Sequence, residues 1–303
     1  MAAAASTSGA RGELRYDEPL ARHTAWGIGG PARRFYVPAS VADLARFLAE
    51  LPAAEEIFFL GLGSNLLVRD GGIDATVIAT EGLAALERLD AGHVRAEAGV
   101  PCPKVARFCA RLALGGAEFF AGIPGTVGGA LSMNAGAFGG ETWDLVARVE
   151  TVDRCGRLRT RRPAEYRVGY RTVVGPSAEW FVAAVLALAP GDDERGRARI
   201  RELLRMRAET QPLGTRNCGS VFRNPPGDHA ARLIEASGLK GERAGAAVVS
   251  TKHANFIINE GGASARDVEA LIARVIARVA EATGVALEPE VRVVGRALEE
   301  PRA

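Results

Sequence analysis

The chain has 303 residues, of which 48% are hydrophobic and 24% charged, and its formal net charge at pH 7 is +2. This length is sufficient for two domains, and the balanced charge argues against a dedicated nucleic-acid-binding surface. The four cysteines show neither CxxC nor Cys/His ligand spacing. The sequence therefore indicates no zinc site, no disulfide framework and no bound metal.

The first residues predict a disordered leader, which we place at residues 1–14. The segment MAAAASTSGARG is small and polar and lacks the apolar core of a signal peptide. No stretch of the sequence approaches the roughly 20 apolar residues that a membrane span requires. Together with cysteines that suit a reducing compartment, these features predict a cytoplasmic protein with neither a membrane nor a nucleic acid as partner.

Short helices and short strands alternate through the first two thirds of the chain. Apolar spacing predicts helices over 41–51, after the capping residue Ser40, and over 101–114. Strand patterns are predicted at 56–60, 66–69, 75–80, 146–153, 157–161 and 181–188. This mixture predicts an α+β fold rather than a regular doubly wound sheet.

A turn of glycine, serine and asparagine follows the strand predicted at 56–60. Gly61 and Gly63 match the first two glycines of a dinucleotide-binding fingerprint, but Leu66 occupies the place of the third and no helix follows. We interpret the turn as a poor Rossmann site. It remains suited to contact phosphates, with Ser64 and Asn65 adding side-chain donors.

The segment 122–141, GIPGTVGGALSMNAGAFGGE, contains seven glycines among apolar residues. In the interior of a helix or strand, each glycine costs roughly 0.5–1 kcal/mol relative to alanine. Backbone amides in turns and at helix starts can form an anion-binding concavity, although the lysine of a Walker loop is missing. We favour a bound phosphate-bearing cofactor over a surface loop with Asn134 in a turn.

Two helices are predicted in the last third. The helix over about 192–209 carries six arginines interleaved with glutamates, a pattern that favours a solvated helix face over a basic patch. The second helix begins at Ala265 after the cap Ser264 and ends near Gly284, and its apolar stripe is typical of scaffold. A region of about 205–296 thus forms a separate unit of helices and strands.

The segment 217–225, NCGSVFRNP, contains two candidate nucleophiles. Ser220 lacks a GxSxG frame, and His229 would have to act as its base without an evident partner. From the residues alone, a turn serine is the favoured interpretation. Cys218 is better explained as a small buried thiol.

Charged residues in two other segments are ambiguous. Arg171, beside Tyr170, could clamp a carboxylate or phosphate, or form a salt bridge at a strand end. The alternation in LEPEVRV places Glu288, Glu290 and Arg292 on one face of a predicted strand. The residues alone favour solvent exposure for that face.

These segments together resemble the UDP-N-acetylenolpyruvoylglucosamine reductases, flavoenzymes that make the UDP-N-acetylmuramate precursor of bacterial peptidoglycan. The resemblance covers residues 23–295 and rests on seven motifs in order. They are HTAWGIGGPA (23–32), GLGSNLL (61–67), GIPGTVGGALSMNAGAFG (122–139), YRVGYR (166–171), GSVFRNP (219–225), HANFIIN (253–259) and LEPEVRVVG (287–295).

The resemblance implies an α+β fold with two domains. The first, at 15–190, would be an FAD-binding domain of the PCMH or vanillyl-alcohol-oxidase type, made of two α+β subdomains. The second, at 200–297, would be an α+β substrate-binding domain. We expect FAD to be held non-covalently, because no histidine lies between His93 and His229. The implied FAD-binding residues are Gly61, Gly63, Ser64, Asn65, Ile123, Pro124, Gly125, Thr126, Gly128, Gly129, Asn134, Gly136 and Ala137.

The resemblance also implies a reaction in two halves, in which NADPH reduces the flavin and the flavin then passes hydride to an enolpyruvyl UDP-sugar. Ser220 matches the proton donor of the family, and Arg171 and Glu290 match its catalytic arginine and glutamate. These matches replace the interpretations made from the residues alone. Tyr170, Asn224 and His253 would contact the UDP-sugar, and we expect a monomer.

The chain departs from the family pattern at two places. Arg223 stands where lysine is common, and residues 172–180 are too few for the inserted loop whose tyrosine covers the substrate in some members. This chain therefore resembles the shorter type. Two alternatives remain open, namely another FAD oxidoreductase of the same fold and a catalytically inactive nucleotide-binding protein.

Overall fold

A computed structural model describes residues 11–298 of the chain. Residues 1–10 of the predicted leader lie outside this range, but the first strand begins at Glu13, so the leader was predicted to extend too far. Among the described residues, no helix has the length and apolar character needed to cross a membrane.

Strands and helices alternate along the chain in short elements. The strands are β1 (Glu13–Pro19), β2 (Pro31–Val37), β3 (Ile57–Leu60), β4 (Leu66–Val68), β5 (Ile73–Ala79), β6 (Leu86–Arg88), β7 (His93–Glu97), β8 (Leu114–Gly115), β9 (Gly136–Ala137), β10 (Gly140–Glu141), β11 (Val146–Asp153), β12 (Leu158–Arg161), β13 (Arg167–Gly169), β14 (Thr172–Val174), β15 (Glu179–Ala187), β16 (Ala189–Pro190), β17 (Arg243–Ala244), β18 (Ala247–Val249), β19 (Ile257–Asn259) and β20 (Arg292–Val294). The α-helices are α1 (Val41–Glu50), α2 (Cys102–Arg111), α3 (Val127–Ser132), α4 (Asp193–Thr210), α5 (Ala230–Ala236) and α6 (Ala265–Thr283).

The first subdomain is a four-stranded sheet in the order β1-β2-β5-β3, with helix α1 packed beside it. Strand β5 pairs in parallel with both β2 and β3, and β1 closes the edge in the antiparallel sense. The predicted cap of α1 is confirmed, because the Ser40 side chain accepts a hydrogen bond from the amide of Asp43. Strand β3 ends at Leu60 and delivers the chain to the glycine turn that follows.

The second subdomain is a five-stranded antiparallel sheet in the order β12-β11-β15-β7-β6. Its largest core packs sheet residues such as Val149 and Leu186 against α2, α3 and the 3-10 helix Glu118–Gly122. Helix α2 is shorter than the predicted 101–114, because Ala113 takes a positive φ of 52° and the chain then enters β8. The glycine-rich segment includes helix α3, which its composition had not indicated.

The C-terminal unit consists of a three-stranded sheet, β17-β18-β19, with α5 and α6. Ser264 and Asp267 form a capping box at the start of α6, and Gly284 ends the helix in the left-handed conformation at φ 75°. The predicted apolar stripe of α6 is buried in the core of this unit. The strand predicted over 287–293 is wrong in extent, since only Arg292–Val294 is a strand.

Two features join the C-terminal unit to the rest. Strand β20 pairs in parallel with β4. Trp26 is fully buried in the C-terminal core, donates from its indole Nε1 to the carbonyl of Ile257 at 2.8 Å, and its own carbonyl accepts from Asn259. Helix α4, which precedes the C-terminal unit, packs against α2 of the second subdomain, where a Cβ built on Gly196 would lie 3.1 Å from Cβ of Ala110. Strand pairing and a buried tryptophan, rather than a loose linker, therefore hold the C-terminal unit against the rest of the chain.

Candidate active site

A cavity of about 600 Å³ lies where the glycine turns meet the C-terminal unit. Fourteen of the predicted site residues line it, namely Gly61, Gly63, Ser64, Asn65, Ile123, Pro124, Gly125, Thr126, Gly129, Gly136, Ala137, Arg171, Ser220 and Glu290. A smaller cavity of about 250 Å³ shares part of this lining and also touches Gly128. The structure thus brings together segments that are up to 229 residues apart in sequence, from Gly61 to Glu290.

The turn at 61–65 requires its two glycines. Gly63 has a φ of +57°, and a Cβ there would lie 2.4 Å from the carbonyl oxygen of His23. A Cβ on Gly61 would lie 2.6 Å from Oγ1 of Thr126. Both distances are shorter than any tolerable contact, so this turn and the glycine-rich segment are packed against each other without room for side chains.

The two adjacent glycines of α3 have different surroundings. A Cβ on Gly128 would lie 2.9 Å from Cβ of Ala98, so this residue is glycine because the sheet is too close. A Cβ on Gly129 would meet only Oγ1 of Thr126, at 3.8 Å, and this residue lines the large cavity. Protein packing therefore explains why residue 128 is glycine. Packing gives no such reason at residue 129, where a ligand in the cavity would explain the missing side chain.

Asn65 was predicted to add a side-chain donor for phosphate, but in the structure its side chain bonds other residues of the protein. Its Nδ2 donates to the backbone carbonyl of Glu290 at 3.1 Å and lies 3.6 Å from Sδ of Met133. Its backbone carbonyl accepts from the amide of Arg292. Asn65 therefore joins the glycine turn, the glycine-rich segment and the C-terminal strand at one point.

Backbone hydrogen bonds place Ser220 beside Glu290. The carbonyl of Val221 accepts from the amide of Glu290 at 2.7 Å, and the amide of Arg223 donates to the carbonyl of Glu288 at 2.9 Å. The side chain of Asn255 bonds both the amide and the carbonyl of Phe222, at 2.9 Å each. Ser220 and Glu290 thus belong to two rigidly paired segments.

Arg171 enters the cavity from a third direction, at the tip of the hairpin formed by β13 and β14. Tyr170 and Arg171 are its two turn residues, since Gly169 pairs with Thr172. Arg171 has a positive φ of 52°, which is uncommon for a residue with a side chain. Its Nε lies 3.0 Å from Oε1 of Glu290, an ion pair without hydrogen-bond geometry.

The electrostatics of the cavity centre on Glu290, whose side chain is 9% exposed. Burial raises the pKa of this carboxyl, and the charges of Arg171 and Arg223 only partly oppose that effect. Exposure of Glu290, which the residues alone had favoured, is therefore wrong. The nearby Cys218 is buried as predicted, and its burial and the Glu290 charge raise the pKa of the thiol well above its usual value, so it is a poor nucleophile.

Two buried arginine atoms in this cavity make no hydrogen bond within residues 11–298. Nε of Arg223 donates to no acceptor, and Nε of Arg171 has only its ion-pair contact with Oε1 of Glu290 at 3.0 Å. Unsatisfied buried donors are rare in proteins and costly when they occur. Both residues line the cavity, and Nη2 of Arg223 reaches the carbonyl of Arg171 at 3.4 Å. The two guanidinium groups therefore place positive charge in the cavity wall, which suits an anionic ligand.

Besides Gly128, four predicted residues do not line the large cavity. The buried amide of Asn134 is used within the protein, donating to Glu141 and accepting from the amide of Trp143. Oδ1 of Asn224 accepts from the amide of Ala230 at the start of α5. Tyr170 is 52% exposed beside Arg171. His253 packs edge-to-face on Phe256, and burial lowers the pKa of its imidazole.

Sequence reasoning missed Arg207, which lines the cavity with Gln211. The solvated helix face predicted for α4 is correct for Arg197, Arg199 and Arg205, which form exposed ion pairs, but wrong for Arg207. Two signals were available in the sequence. Arg207 continues the spacing of the buried Ile200 and Leu203, and no acidic residue lies three or four positions from it.

The residues of the cavity fit a flavin dinucleotide. Gly129 presents a face without a side chain, and Gly125 has only Oγ of Ser64 near its missing Cβ, at 3.2 Å. The guanidinium groups of Arg171 and Arg223 in the wall suit an anion. Apolar lining by residues such as Ile123, Phe138 and Phe256 suits a planar ring.

Comparison with known proteins agrees with this fit. A family described as an FAD binding domain matches residues 32–161, and the C-terminal domain of UDP-N-acetylenolpyruvoylglucosamine reductase matches residues 211–294. The chain is 63% identical to the UDP-N-acetylenolpyruvoylglucosamine reductase of Alkalilimnicola ehrlichii over 94% of this chain and 96% of that one. It is 60% identical to that of Methylococcus capsulatus, over 97% of each.

A solved structure supports the same relationship. The crystal structure of UDP-N-acetylenolpyruvylglucosamine reductase from Thermus caldophilus superposes with a TM-score of 0.80 at 36% identity, covering 93% of this chain and 98% of that one. The α+β architecture predicted from the sequence is confirmed. The chain belongs to the UDP-N-acetylenolpyruvoylglucosamine reductase family and is an FAD-dependent oxidoreductase.

Proposed function

We propose that this protein reduces UDP-N-acetyl-3-O-(1-carboxyvinyl)-glucosamine to UDP-N-acetylmuramate, with NADPH as the reductant, in the synthesis of peptidoglycan precursors. The names of its relatives support the reaction, and the match to an FAD binding domain supports the cofactor. One observation supports placing this reaction in the large cavity. Arg171, Ser220 and Glu290, from three separate segments, line one cavity together with the glycine turns.

The substrate carboxylate would lie between Arg171 and Arg223. Both guanidinium groups line the cavity, and a carboxylate is the group that a guanidinium fork pairs with best. Glu290 lies beside them, and burial raises the pKa of its carboxyl, which favours the neutral form. A neutral Glu290 can hydrogen-bond the carboxylate without repelling it.

When bound, the flavin would take up a hydride equivalent from NADPH and supply it to the double bond of the substrate. Negative charge that develops on the carboxylate would be stabilised by Arg171 and by the hydrogen bond from Glu290. Ser220, held by the paired backbone of Val221 and Glu290, would give a proton to the carbon next to the carboxylate. The hydroxyl needs no nucleophilic role in this scheme.

The proposal requires neither a second subunit nor a metal. We propose a monomer as the active unit. All four cysteines are free thiols in the structure, which supports the cytoplasm as the compartment.

Ser220→Ala tests the assignment because Ser220 acts in only one half of the reaction. NADPH should reduce the flavin of this variant at close to the wild-type rate, whereas reoxidation by the enolpyruvyl substrate should fall about 10²–10⁴-fold. Anaerobic stopped-flow absorbance measures both rates. Ser237→Ala is the control, because that hydroxyl donates to the carbonyl of Leu233 on α5 and has no other bond within residues 11–298. Equal losses in both halves would show that Ser220 is not a proton donor.

A further inference from the structure

Arg207 differs from the other arginines of helix α4. It is half-buried in the wall of the large cavity, and burial alone lowers its pKa. Its side chain bonds only a neutral group, since Nε donates to Oε1 of Gln211 at 2.9 Å. Within residues 11–298, no carboxylate pairs with it, whereas Arg205 pairs with Glu209 in solvent.

The protein fold by itself gives no reason to desolvate this cation. A cation in the last turn of a helix is stabilised by the helix dipole, but an exposed side chain would gain the same benefit. Burying a charge without a counter-ion is unfavourable. Lys252 adds to the positive charge, because its Nζ donates to the carbonyl of Ala208, the next residue along. The missing partner is therefore an anion that enters the cavity.

The proposed function brings two other anionic groups into the cavity, the cofactor phosphates and the substrate carboxylate, and other residues serve them. The glycine turns serve the cofactor, and Arg171 and Arg223 face the substrate carboxylate in the function proposed above, on which this inference rests. Arg207 in the last turn of α4 and Gln211 directly after the helix line the cavity together with Ser220. We propose that Arg207 binds the phosphate groups of a nucleotide substrate, a chemistry that a UDP-sugar and NADPH share.

Arg207→Gln tests this inference, with Arg205→Gln as the matched control on the same helix. The FAD-loaded proteins are titrated with UDP and with uridine by calorimetry, and KM and kcat are measured for the UDP-sugar and for NADPH. Loss of one charge-assisted contact should weaken phosphate binding about 10- to 100-fold. Uridine binding, kcat and FAD content should stay near wild type, and Arg207→Lys should recover part of the loss.

The two sources of phosphate give different results. A raised KM for the UDP-sugar with weaker UDP binding identifies the sugar nucleotide, and a raised KM for NADPH identifies the reductant; either supports the inference. Unchanged values for both, or a change confined to FAD content, would overturn it. Failure of the wild-type protein to convert the UDP-sugar would refute the proposed function instead, and the UDP and uridine titrations would still decide whether Arg207 binds phosphate.

Discussion

Glu290 offers the sharpest test of how the site handles charge. Its side chain is 9% exposed, and Oε1 lies 3.0 Å from Nε of Arg171. Glu290→Ala removes the carboxyl and leaves Arg171 without its neighbour. A hydrogen bond to a charged group is worth about 1.5–3 kcal/mol, so reoxidation by substrate should slow about 10- to 150-fold. Glu290→Gln keeps a neutral hydrogen-bonding group of the same size, so its loss should stay within about tenfold.

The raised pKa of Glu290 adds a pH signature. Reoxidation should fall as pH rises through the pKa of the buried carboxyl, because the protonated form is the active one. Glu290→Gln cannot ionise and should show a flatter profile. Stability follows the same sign. The folded pKa lies above the unfolded value, so ionisation destabilises the fold once pH exceeds the unfolded pKa. Glu290→Gln should be the more stable protein at neutral pH, and this gain should vanish below about pH 4.

Single-turnover flavin reoxidation, followed at 1-unit steps of pH, measures these effects, with thermal unfolding of the same variants as the stability control. Glutamine as damaging as alanine, together with a pH profile unchanged from wild type, would refute the reasoning. Ionisation or proton transfer by Glu290 would then be essential.

Three further predictions test the cofactor site. FAD should be released completely into the supernatant on acid precipitation, and flavin in the protein pellet would rule out non-covalent binding. Gly129→Val should weaken FAD binding to the apoprotein without lowering its melting temperature, whereas Gly128→Ala should lower the melting temperature, because a Cβ there would lie 2.9 Å from Ala98; equal behaviour of the two variants would contradict the distinction. Asn65→Ala should slow reoxidation more than it weakens FAD binding, since its side chain holds the backbone of Glu290; a loss confined to FAD affinity would return Asn65 to the role of a phosphate donor.

Local patterns predicted much of the fold. Helices α1 and α6 followed from apolar spacing and capping residues, because both signals act within a few residues. The core strands β11 and β15 were found within two residues of their ends. Helix α3 was not predicted, because Gly128 and Gly129 lower its helix propensity. The close sheet requires the first glycine and the cavity the second. Tertiary contacts of that kind leave no local signal.

The residues of the candidate site were predicted in unequal degree. Glycine density pointed to a phosphate-bearing cofactor, while the roles of Arg171, Ser220 and Glu290 came only from the resemblance to a family. Periodicity alone had favoured exposure of Glu290, because the pairing of its segment with Val221 involves residues 69 positions apart. Arg207 was grouped with its solvated neighbours, although its place on the buried stripe of α4 could have separated it.

The most direct test of the central claim is one anaerobic titration of the purified protein. The account predicts that the flavin absorbance near 450 nm is bleached by NADPH and restored stoichiometrically when UDP-N-acetyl-3-O-(1-carboxyvinyl)-glucosamine is added, with UDP-N-acetylmuramate as the product. A flavin that NADPH reduces but that this substrate does not reoxidise would contradict the account.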